Sequence, residues 1–427
     1  MASWPRLLLA LGAIAIQVTP ATSQQQPPAD FTPNPRVGPG GTRWKDSPHF
    51  RIYNPTNDAV ADQTIAYLEA AYSCFVDDLK WRSPGLSFRQ DHDNGPWHKT
   101  NIYQVDSLPG AAANTPTDLN LGLPWLNVVK TYMNEPSVVV HEFGHALTYS
   151  ARWWIDQYRT GAWWESVANF VADLYLTSTH CAKARTKYNQ PEGPTIIDLK
   201  KVIGDSFQVI VDGTANTANH YQAWPFLTYL FNNPDNIAGL GTTIFPEVWT
   251  KYKRYSDETP LHVLERLIQP GGARIQTVVA KYWARMAFVD IGHPKAQALF
   301  NQQRRTLNYA NLDSQGNGRY RVKSARRPRY MGANIIPLKT SGGNVVVSLT
   351  GNSAPITAIL AIKAANGAVR YVDLPSGKGQ ALVASGEEAA LVVVNTPNSL
   401  VMFDPFKLTT ETNNGVDYQV QLTGATV

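Results

Sequence analysis

The sequence predicts an α+β protein with a mixed sheet and helical lobe, followed by a C-terminal β-sandwich. Three observations predict this: a strand, helix, strand, strand order ahead of residue 138, helical periodicity from there to about residue 311, and short β-rich runs beyond residue 331. A chain of 427 residues with 43% apolar composition can bury a core large enough for both parts.

The N-terminus has the pattern of a secretory signal peptide. Residues 1–23 contain one arginine, an apolar run from Leu7 to Ile16 and small residues before Gln24. We therefore expect a secreted, extracellular protein with no membrane partner. The Gln-, Pro- and Gly-rich residues 24–47 are predicted to form a disordered leader.

Ordered structure is predicted to begin with the strand HFRIYN, residues 49–54. Apolar residues then recur at helical spacing over residues 58–81, which indicates a helix. The segments KTNIYQV, residues 99–105, and LPWLNVV, residues 123–129, have the composition of further strands. These elements predict a small α/β subdomain.

The middle of the chain is predicted to be helical and to complete a domain over residues 48–311. The clearest apolar-periodic segments are VVVHEFGHAL, SVANFVADLYL, YQAWPFLTYLF, PLHVLERLI and TVVAKYWARMAFVDI.

Beyond the helices the character of the chain changes twice. Residues 312–330 include the basic run RYRVKSARRPRY and are interpreted as a solvated linker. Residues 331–427 contain β-rich runs with a hairpin pattern at Asn366-Gly367, which predicts the β-sandwich. The net charge of +5 has no aromatic stacking platform beside it, so no nucleic-acid partner is expected.

Cys74 and Cys181 are the only cysteines. In a chain that passes through an oxidising compartment, two thiols are best interpreted as one structural disulfide.

The run HEFGH, residues 141–145, has the pattern of a metal site on a helix. Residues four apart lie on one helical face, so His141 and His145 can reach one point. Glu142 lies one position along and can reach a water there, which suits a general base beside Zn²⁺.

A third ligand is predicted on the next helical segment. Glu165 follows His145 by twenty residues and can complete a two-histidine, one-glutamate zinc site. Asn169 and Asp173 follow at i+4 and i+8 and are predicted to support the ligand histidines by accepting their second ring N–H. The alternative is a buried helix pair without metal, but buried ionisable groups without a metal would be costly.

HEFGH followed by WWESVAN resembles the gluzincin superfamily of zinc peptidases, the thermolysin and aminopeptidase group. The resemblance implies a zincin-type catalytic domain with His141, His145 and Glu165 as zinc ligands and Glu142 as the base. It also implies an edge strand that pairs with extended substrate, for which LPWLNVV is the candidate. The full pattern, including the β-rich tail, is also similar to a family of secreted fungal and bacterial proteins, a likeness that adds no substrate.

Two departures from the gluzincin pattern matter. Asn169 stands where thermolysin-like members carry Asp, and the Gly-x-Met-Glu-Asn motif that recognises a free N-terminus is absent from the sequence. An endopeptidase is therefore favoured over an exopeptidase. Related enzymes use a Tyr or His to stabilise the oxyanion, and Tyr158, His220 and Tyr221 are the candidates.

Each of these three candidates can instead be an ordinary packed aromatic or a residue at a helix end. The tryptophans around the site are interpreted as walls that pack the zinc helices rather than as a sugar-binding platform: Trp153, Trp154, Trp163 and Trp164.

The sequence thus predicts a secreted, monomeric zinc peptidase that acts on peptide or protein substrates. Two alternatives stay open. One is a non-proteolytic zinc protein whose β-sandwich binds a cell-wall or host ligand, and the other is a zinc enzyme acting on a small metabolite.

Overall fold

The computed structural model describes residues 26–90, 92–151, 157–256, 258–351 and 353–427. The protein has mixed α and β structure with several sheets, so the predicted α+β class is confirmed. The signal peptide predicted over residues 1–23 lies outside the described residues.

A mixed sheet forms the N-terminal part. Its strands are β1 (Trp44–Asp46), β2 (Phe50–Tyr53), β3 (Thr100–Val105), β4 (Ala113–Asn114), β5 (Thr117–Asp118) and β6 (Leu123–Val129). Strands β2, β3 and β6 are parallel neighbours, while β1, β4 and β5 pair antiparallel with the strands beside them. Helix α1 (Asp58–Tyr72) and a π-helical turn (Ser73–Asp78) follow β2. The three predicted strands and the predicted helix are therefore confirmed.

Strand β6 is not the edge strand that LPWLNVV was predicted to be. Its outer side pairs with β4 through Val128 and Asn127 and with β5 through Pro124 and Leu123. The short β4 segment therefore covers β6 and takes the position at the edge. Sequence periodicity alone misses β4 because a strand of two residues has no measurable alternation.

Helices fill the middle of the chain. They are α2 (Pro136–Ser150), α3 (Gln157–Thr177), α4 (Ala182–Lys187), α5 (Leu199–Val202), α6 (Trp224–Asn232), α7 (Ile244–Lys251), α8 (Pro260–Ile268), α9 (Ile275–Met286) and α10 (Pro294–Gln303). Their apolar faces share one core with the first sheet. The predicted helical segments are confirmed.

Two antiparallel sheets follow. One has the order β13-β10-β15-β8-β7 and the other β12-β11-β14-β9. Their strands are β7 (Leu312–Gly316), β8 (Arg319–Val322), β9 (Ala333–Leu338), β10 (Gly343–Thr350), β11 (Ile356–Lys363), β12 (Val369–Asp373), β13 (Lys378–Val383), β14 (Glu388–Asn395) and β15 (Gln419–Thr423), with a short helix α11 (Thr410–Asn413) before the last.

The four-stranded sheet is buried on both faces. Leu360 and Leu391 share a core with the five-stranded sheet, whereas the alternate residues Ile359 and Val392 join the core of the helical part. Strands buried on both faces read as continuous apolar runs, which explains the sequences of β11 and β14. The C-terminal part therefore packs directly against the helices.

The interpretation of residues 312–330 as a linker is wrong. This segment forms β7 and β8, which belong to the five-stranded sheet. In β8, Tyr320 and Val322 point into the sheet core while the alternate residues Arg319 and Arg321 face outward, and Arg321 pairs with Asp417. The basic side chains thus conceal an ordinary amphipathic strand.

The prediction of a disordered leader is also wrong for residues 26–47. Phe31 is 2% exposed and packs edge-on against His49 at a ring distance of 4.8 Å. The Asn101 Nδ2 donates to the backbone oxygens of Asn34 and Val37, both at 2.9 Å. Buried polar contacts of this kind tie the Pro- and Gly-rich segment to the first sheet.

Cys74 and Cys181 form a disulfide, as predicted. It links the π-helical turn after α1 to the turn between α3 and α4, and both cysteines are fully buried. The bridge therefore ties the N-terminal subdomain to the helix that carries Glu165.

Candidate metal centre

Helix α2 directs two histidines at one point. The helix begins with Pro136, which suits the first helical position, and buries its apolar face through residues such as Val140 and Phe143. His141 and His145 lie one turn apart on the other face, and their Nε2 atoms are 3.1 Å from each other.

Helix α3 brings Glu165 to the same point. Its Oε2 lies 3.2 Å from the Nε2 of His141 and 3.3 Å from the Nε2 of His145. The two helices approach closely at Gly144, where an added Cβ would lie 2.8 Å from the Cα of Ala168. The glycine of HEFGH is therefore needed for the helix spacing that lets the carboxylate reach the imidazoles.

The three atoms fit a tetrahedral zinc ion. Bonds of about 2.0–2.1 Å place the ligands of such an ion about 3.3 Å apart, and the three separations here are 3.1, 3.2 and 3.3 Å. Two imidazoles and a carboxylate are also a donor set that zinc prefers. Three ligands on one side leave a fourth position open.

Opposite charges are balanced inside this cluster. Burial lowers the pKa of His141, but the hydrogen bond to Glu165 and the charges of Glu142 and Glu165 outweigh it, so the net pKa is raised. Burial likewise opposes ionisation of Glu165, yet its bonds to His141 and His145 hold its pKa well below the usual value. The carboxylate of Glu165 is therefore ionised and stabilises a positive charge beside it.

The Asn169 side chain contacts His141. Its Oδ1 lies 2.7 Å from the Nδ1 of His141, and its Nδ2 donates to the backbone oxygen of Tyr221 at 2.6 Å. The second bond fixes the orientation of the amide, so the oxygen faces the imidazole.

The prediction for Asp173 is wrong. This carboxylate lies 2.5 Å from the Nε2 of His293 and accepts hydrogen bonds from Thr195 Oγ1 and the backbone N–H of Ile196. Eight residues along a helix amount to about 12 Å, so Asp173 is too far from Glu165 to serve the same cluster. It connects α3 to the start of α10 instead.

Glu142 is buried, with 5% exposure, and has a partner that sequence reasoning missed. The Oγ1 of Thr115 lies 2.6 Å from Glu142 Oε2 and 3.0 Å from the backbone oxygen of the same residue. Thr115 comes from the segment between β4 and β5, so the edge of the sheet positions the carboxylate.

The cluster opens into a cavity of about 710 Å³. The β4 segment, residues 110–115, forms part of its lining, and α2, α3 and the residues 221–222 form much of the rest. His141, Glu142, His145 and Glu165 all line it. The three converging atoms of the cluster therefore lie beside a cavity.

The three predicted oxyanion donors differ in position. Tyr221 lines the cavity, whereas His220 and Tyr158 are not among its described lining residues. Burial first, and then the charges of Glu165 and Glu142, raise the pKa of Tyr221 to about 12. Tyr221 thus keeps its phenolic proton at neutral pH and can donate it.

Two of these candidates are placed elsewhere. His220 Nδ1 lies 3.3 Å from the backbone oxygen of Asp212, and burial lowers the pKa of this histidine. Tyr158 is 75% exposed at the start of α3. The structure therefore does not bring either side chain into the cavity.

A second cavity tyrosine was missed. Tyr149 lies four residues beyond His145, on the same face of α2, and lines the cavity. Burial and the charges of Glu165 and Glu142 raise its pKa to about 12 as well. Its i+4 spacing from His145 could have revealed it.

The tryptophans of α3 pack the two helices, as interpreted. Trp163 and Trp164 are 2% and 5% exposed, and Trp164 contacts the Tyr149 ring edge-on at 4.8 Å. Trp153 and Trp154 lie outside the described residues.

The fold and this cluster define an α+β protein with a histidine- and glutamate-lined cavity suited to a metal ion. The chain belongs to the family of unknown function DUF6055, which matches residues 49–427. No curated protein matches the chain. Among the described residues, no helix is both long and apolar enough to cross a membrane.

Proposed function

We propose that the protein is a secreted zinc-dependent peptidase of the gluzincin type, with a zincin-type catalytic part followed by a β-sandwich. The observation that carries the proposal is the convergence of three zinc-type ligand atoms beside a buried glutamate that is held by a hydroxyl group. Packing of the two C-terminal sheets around a common core supports the sandwich, and the disulfide is compatible with secretion.

The roles of the residues follow from their positions. His141, His145 and Glu165 would hold the ion, and Asn169 would orient His141. A zinc ion held there would supply a Lewis acid for the scissile carbonyl and for the attacking water. The three proposed ligand residues line the cavity, and the Asn169 oxygen faces the His141 ring.

Glu142 acts as the general base. Its carboxylate accepts a proton from the attacking water while the water oxygen forms a bond to the carbonyl carbon. The same proton passes to the leaving nitrogen as the C–N bond breaks. Thr115 orients the carboxylate for both transfers through its hydrogen bond to Oε2. Tyr221 and Tyr149 line the cavity, and either hydroxyl would donate a hydrogen bond to the developing oxyanion.

The β4 segment would bind the substrate backbone. Its inner side pairs with β6 through Ala113 and Val128, and residues 110–115 line the cavity along the other side. An extended peptide can add to such an edge as a further strand. This arrangement favours peptide over a small metabolite as substrate.

Zinc analysis combined with a peptide-library digest tests the proposal. We expect about one zinc per chain and cleavage that a chelator abolishes and added zinc restores. Stoichiometric zinc without cleavage would favour a non-proteolytic zinc protein whose sandwich binds a cell-wall or host ligand. A protein that binds no zinc would refute both.

A further inference from the structure

One residue of the C-terminal part reaches the metal cavity. Phe406 follows β14 in the chain, yet its ring lines the same cavity as His141 and Glu165. The side chain is 47% exposed. Binding of an apolar group against this half-exposed ring would remove apolar area from water, which is favourable.

The turn that carries Phe406 is held against the helical part. The backbone N–H of Gly213 donates to the oxygen of Pro405 at 2.9 Å. Within the turn, Asp404 Oδ1 accepts from the N–H of Phe406 at 2.9 Å, and the backbone oxygen of Asp404 accepts from Lys407 at the same distance. These bonds fix the backbone from which the ring extends.

Two glycines make room for the ring. A Cβ at Gly161 would lie 2.7 Å from Phe406, and one at Gly213 would lie 2.8 Å from it. Gly161 precedes Glu165 by four residues on α3, so the ring rests about one helical turn from a ligand residue. The His220 ring lies edge-on to Phe406 at 6.0 Å, which gives this histidine a packing role.

Two further aromatic side chains line the cavity near Glu165. Trp164 lies three residues beyond Gly161 on α3 and contacts Tyr149 of α2. Phe406, Trp164 and Tyr149, here called the aromatic wall, therefore share the lining of one cavity with Glu165. Aromatic side chains of this kind bury a large apolar area when they bind a partner.

We propose that the aromatic wall is a specificity site that binds a bulky apolar side chain of the substrate, with Phe406 as its determinant. This inference rests on the proposed zinc peptidase. It assigns the C-terminal part a role in substrate selection, because the removal of that part would remove one side of the site.

A pair of metal-chelating probes tests the wall by binding rather than by turnover. The probes are dipeptide hydroxamates that differ only in a benzyl side chain or a hydrogen, titrated by calorimetry into the full chain after its zinc content is measured. We expect the wild type to bind the benzyl probe about 10-fold more tightly or better. Phe406→Ala should reduce that preference to about 3-fold or less without changing the affinity of the glycyl probe.

Met402→Ala is the matched control, because Met402 is in the same segment and is also 47% exposed. It should leave both affinities unchanged. Phe406→Leu keeps an apolar side chain at this position. If this variant retains part of the preference for the benzyl probe over the glycyl probe, the turn still folds. Thermal melts of all variants check folding directly.

The possible outcomes separate this inference from the proposed function. If Phe406→Ala still binds the benzyl probe more tightly than the glycyl probe to the same extent as wild type, the aromatic wall is overturned. An equal loss of affinity for the two probes in this variant also overturns it. Zinc-loaded wild type that binds both probes equally overturns the wall alone, whereas zinc-loaded wild type that binds neither probe overturns the proposed function as well. Absence of zinc in the metal analysis instead overturns the proposed function on which the wall rests.

Discussion

His141 and Asn169 form a contact that fixes the histidine tautomer. The amide nitrogen of Asn169 donates to the Tyr221 backbone oxygen, so Oδ1 is the atom that faces His141 Nδ1 at 2.7 Å. An amide oxygen only accepts, and the imidazole proton must therefore lie on Nδ1. With this proton on Nδ1, the Nε2 of the neutral imidazole would present its lone pair to an ion held by His145 and Glu165.

This contact also explains why asparagine suits the position. An aspartate could accept from His141, but its second oxygen would face the Tyr221 carbonyl, with which it cannot form a hydrogen bond. Asparagine satisfies both neighbours and holds the Tyr221 segment against α3. The departure from the gluzincin pattern at Asn169 is therefore compatible with a metal ligand at His141.

Asn169→Ala should weaken zinc binding by about 10- to 100-fold, since the His141 ring loses the group that orients it. Competition with a chromophoric chelator measures the affinity. Asn169→Asp should retain most of the affinity because it still accepts from Nδ1. Unchanged zinc affinity in the alanine variant would contradict a supporting role for Asn169.

Glu142→Gln should abolish hydrolysis while zinc stays bound. The amide keeps the size of the carboxylate but cannot accept the water proton, so we expect a loss of about 100-fold or more in kcat. Peptide cleavage rates and zinc content measured on the same preparation check both parts. The exposed Glu247→Gln on α7 serves as the control. Wild-type activity in Glu142→Gln would refute the mechanism.

Thr115→Val should lower kcat by about 10-fold or more and leave zinc content unchanged, because it removes the hydroxyl that orients Glu142 without changing the side-chain shape. Thr117→Val is a matched control two residues away, since within the described structure its buried hydroxyl has no hydrogen-bond partner. If the two valine variants have equal activity, Thr115 does not position the base.

The cluster of His141, His145 and Glu165 could be predicted because its spacing along the chain is short. Helical periodicity places the two histidines on one face of α2, and the gluzincin-like spacing pointed to Glu165 on the next helix. Thr115 and Phe406 come from segments distant in the chain, and their contacts depend on how β4 and the C-terminal sheets pack. No local pattern encodes such contacts.

The predictions of a linker and of a disordered leader were wrong because they were based on amino-acid composition. The buried Tyr320 and Val322 alternate with arginines in β8, and the high charge of this segment led to the prediction of a linker instead of a strand. Phe31 anchors a segment whose prolines and glycines suggested disorder. Asp173 was predicted to support the histidines because it lies on the same helical face as Glu165. That prediction did not consider the distance of about 12 Å between the two residues along the helix axis.

Gly144→Ala should destabilise the protein and weaken zinc binding. The added methyl group would meet the Ala168 backbone at 2.8 Å and push α2 from α3. Overpacking of this kind costs about 1–3 kcal/mol, although alanine is otherwise the better helix former by about 1 kcal/mol. Chemical denaturation and chelator competition measure the two effects.

Gly161→Ala provides the comparison for this helix contact. Its added Cβ would meet the Phe406 side chain rather than backbone, and a side chain can rotate away. Zinc affinity should therefore change much less in Gly161→Ala than in Gly144→Ala. Equal zinc affinities in the two variants would show that the helix spacing does not set the ligand geometry.

Glu69→Gln should reduce stability at pH 7 and have a smaller effect in acid. Glu69 accepts from the His49 backbone N–H at 2.9 Å, and its other oxygen lies 2.7 Å from His49 Nδ1. Burial raises the pKa of Glu69, but the bonds and charge of His49 outweigh it and lower the net pKa. A carboxyl group with a lowered folded-state pKa stabilises the protein above its unfolded pKa of about 4.3.

That stabilisation is lost as the pH falls through the lowered folded-state pKa of Glu69. We therefore expect the difference in unfolding free energy between wild type and Glu69→Gln to be about 1–3 kcal/mol at pH 7 and to shrink below about pH 4. Urea melts across this range measure it. Asp62→Asn is the control on the same helix, because Asp62 pairs with Lys45 while 62% exposed and should contribute little. A difference independent of pH would mean that the Glu69 charge does not stabilise the fold.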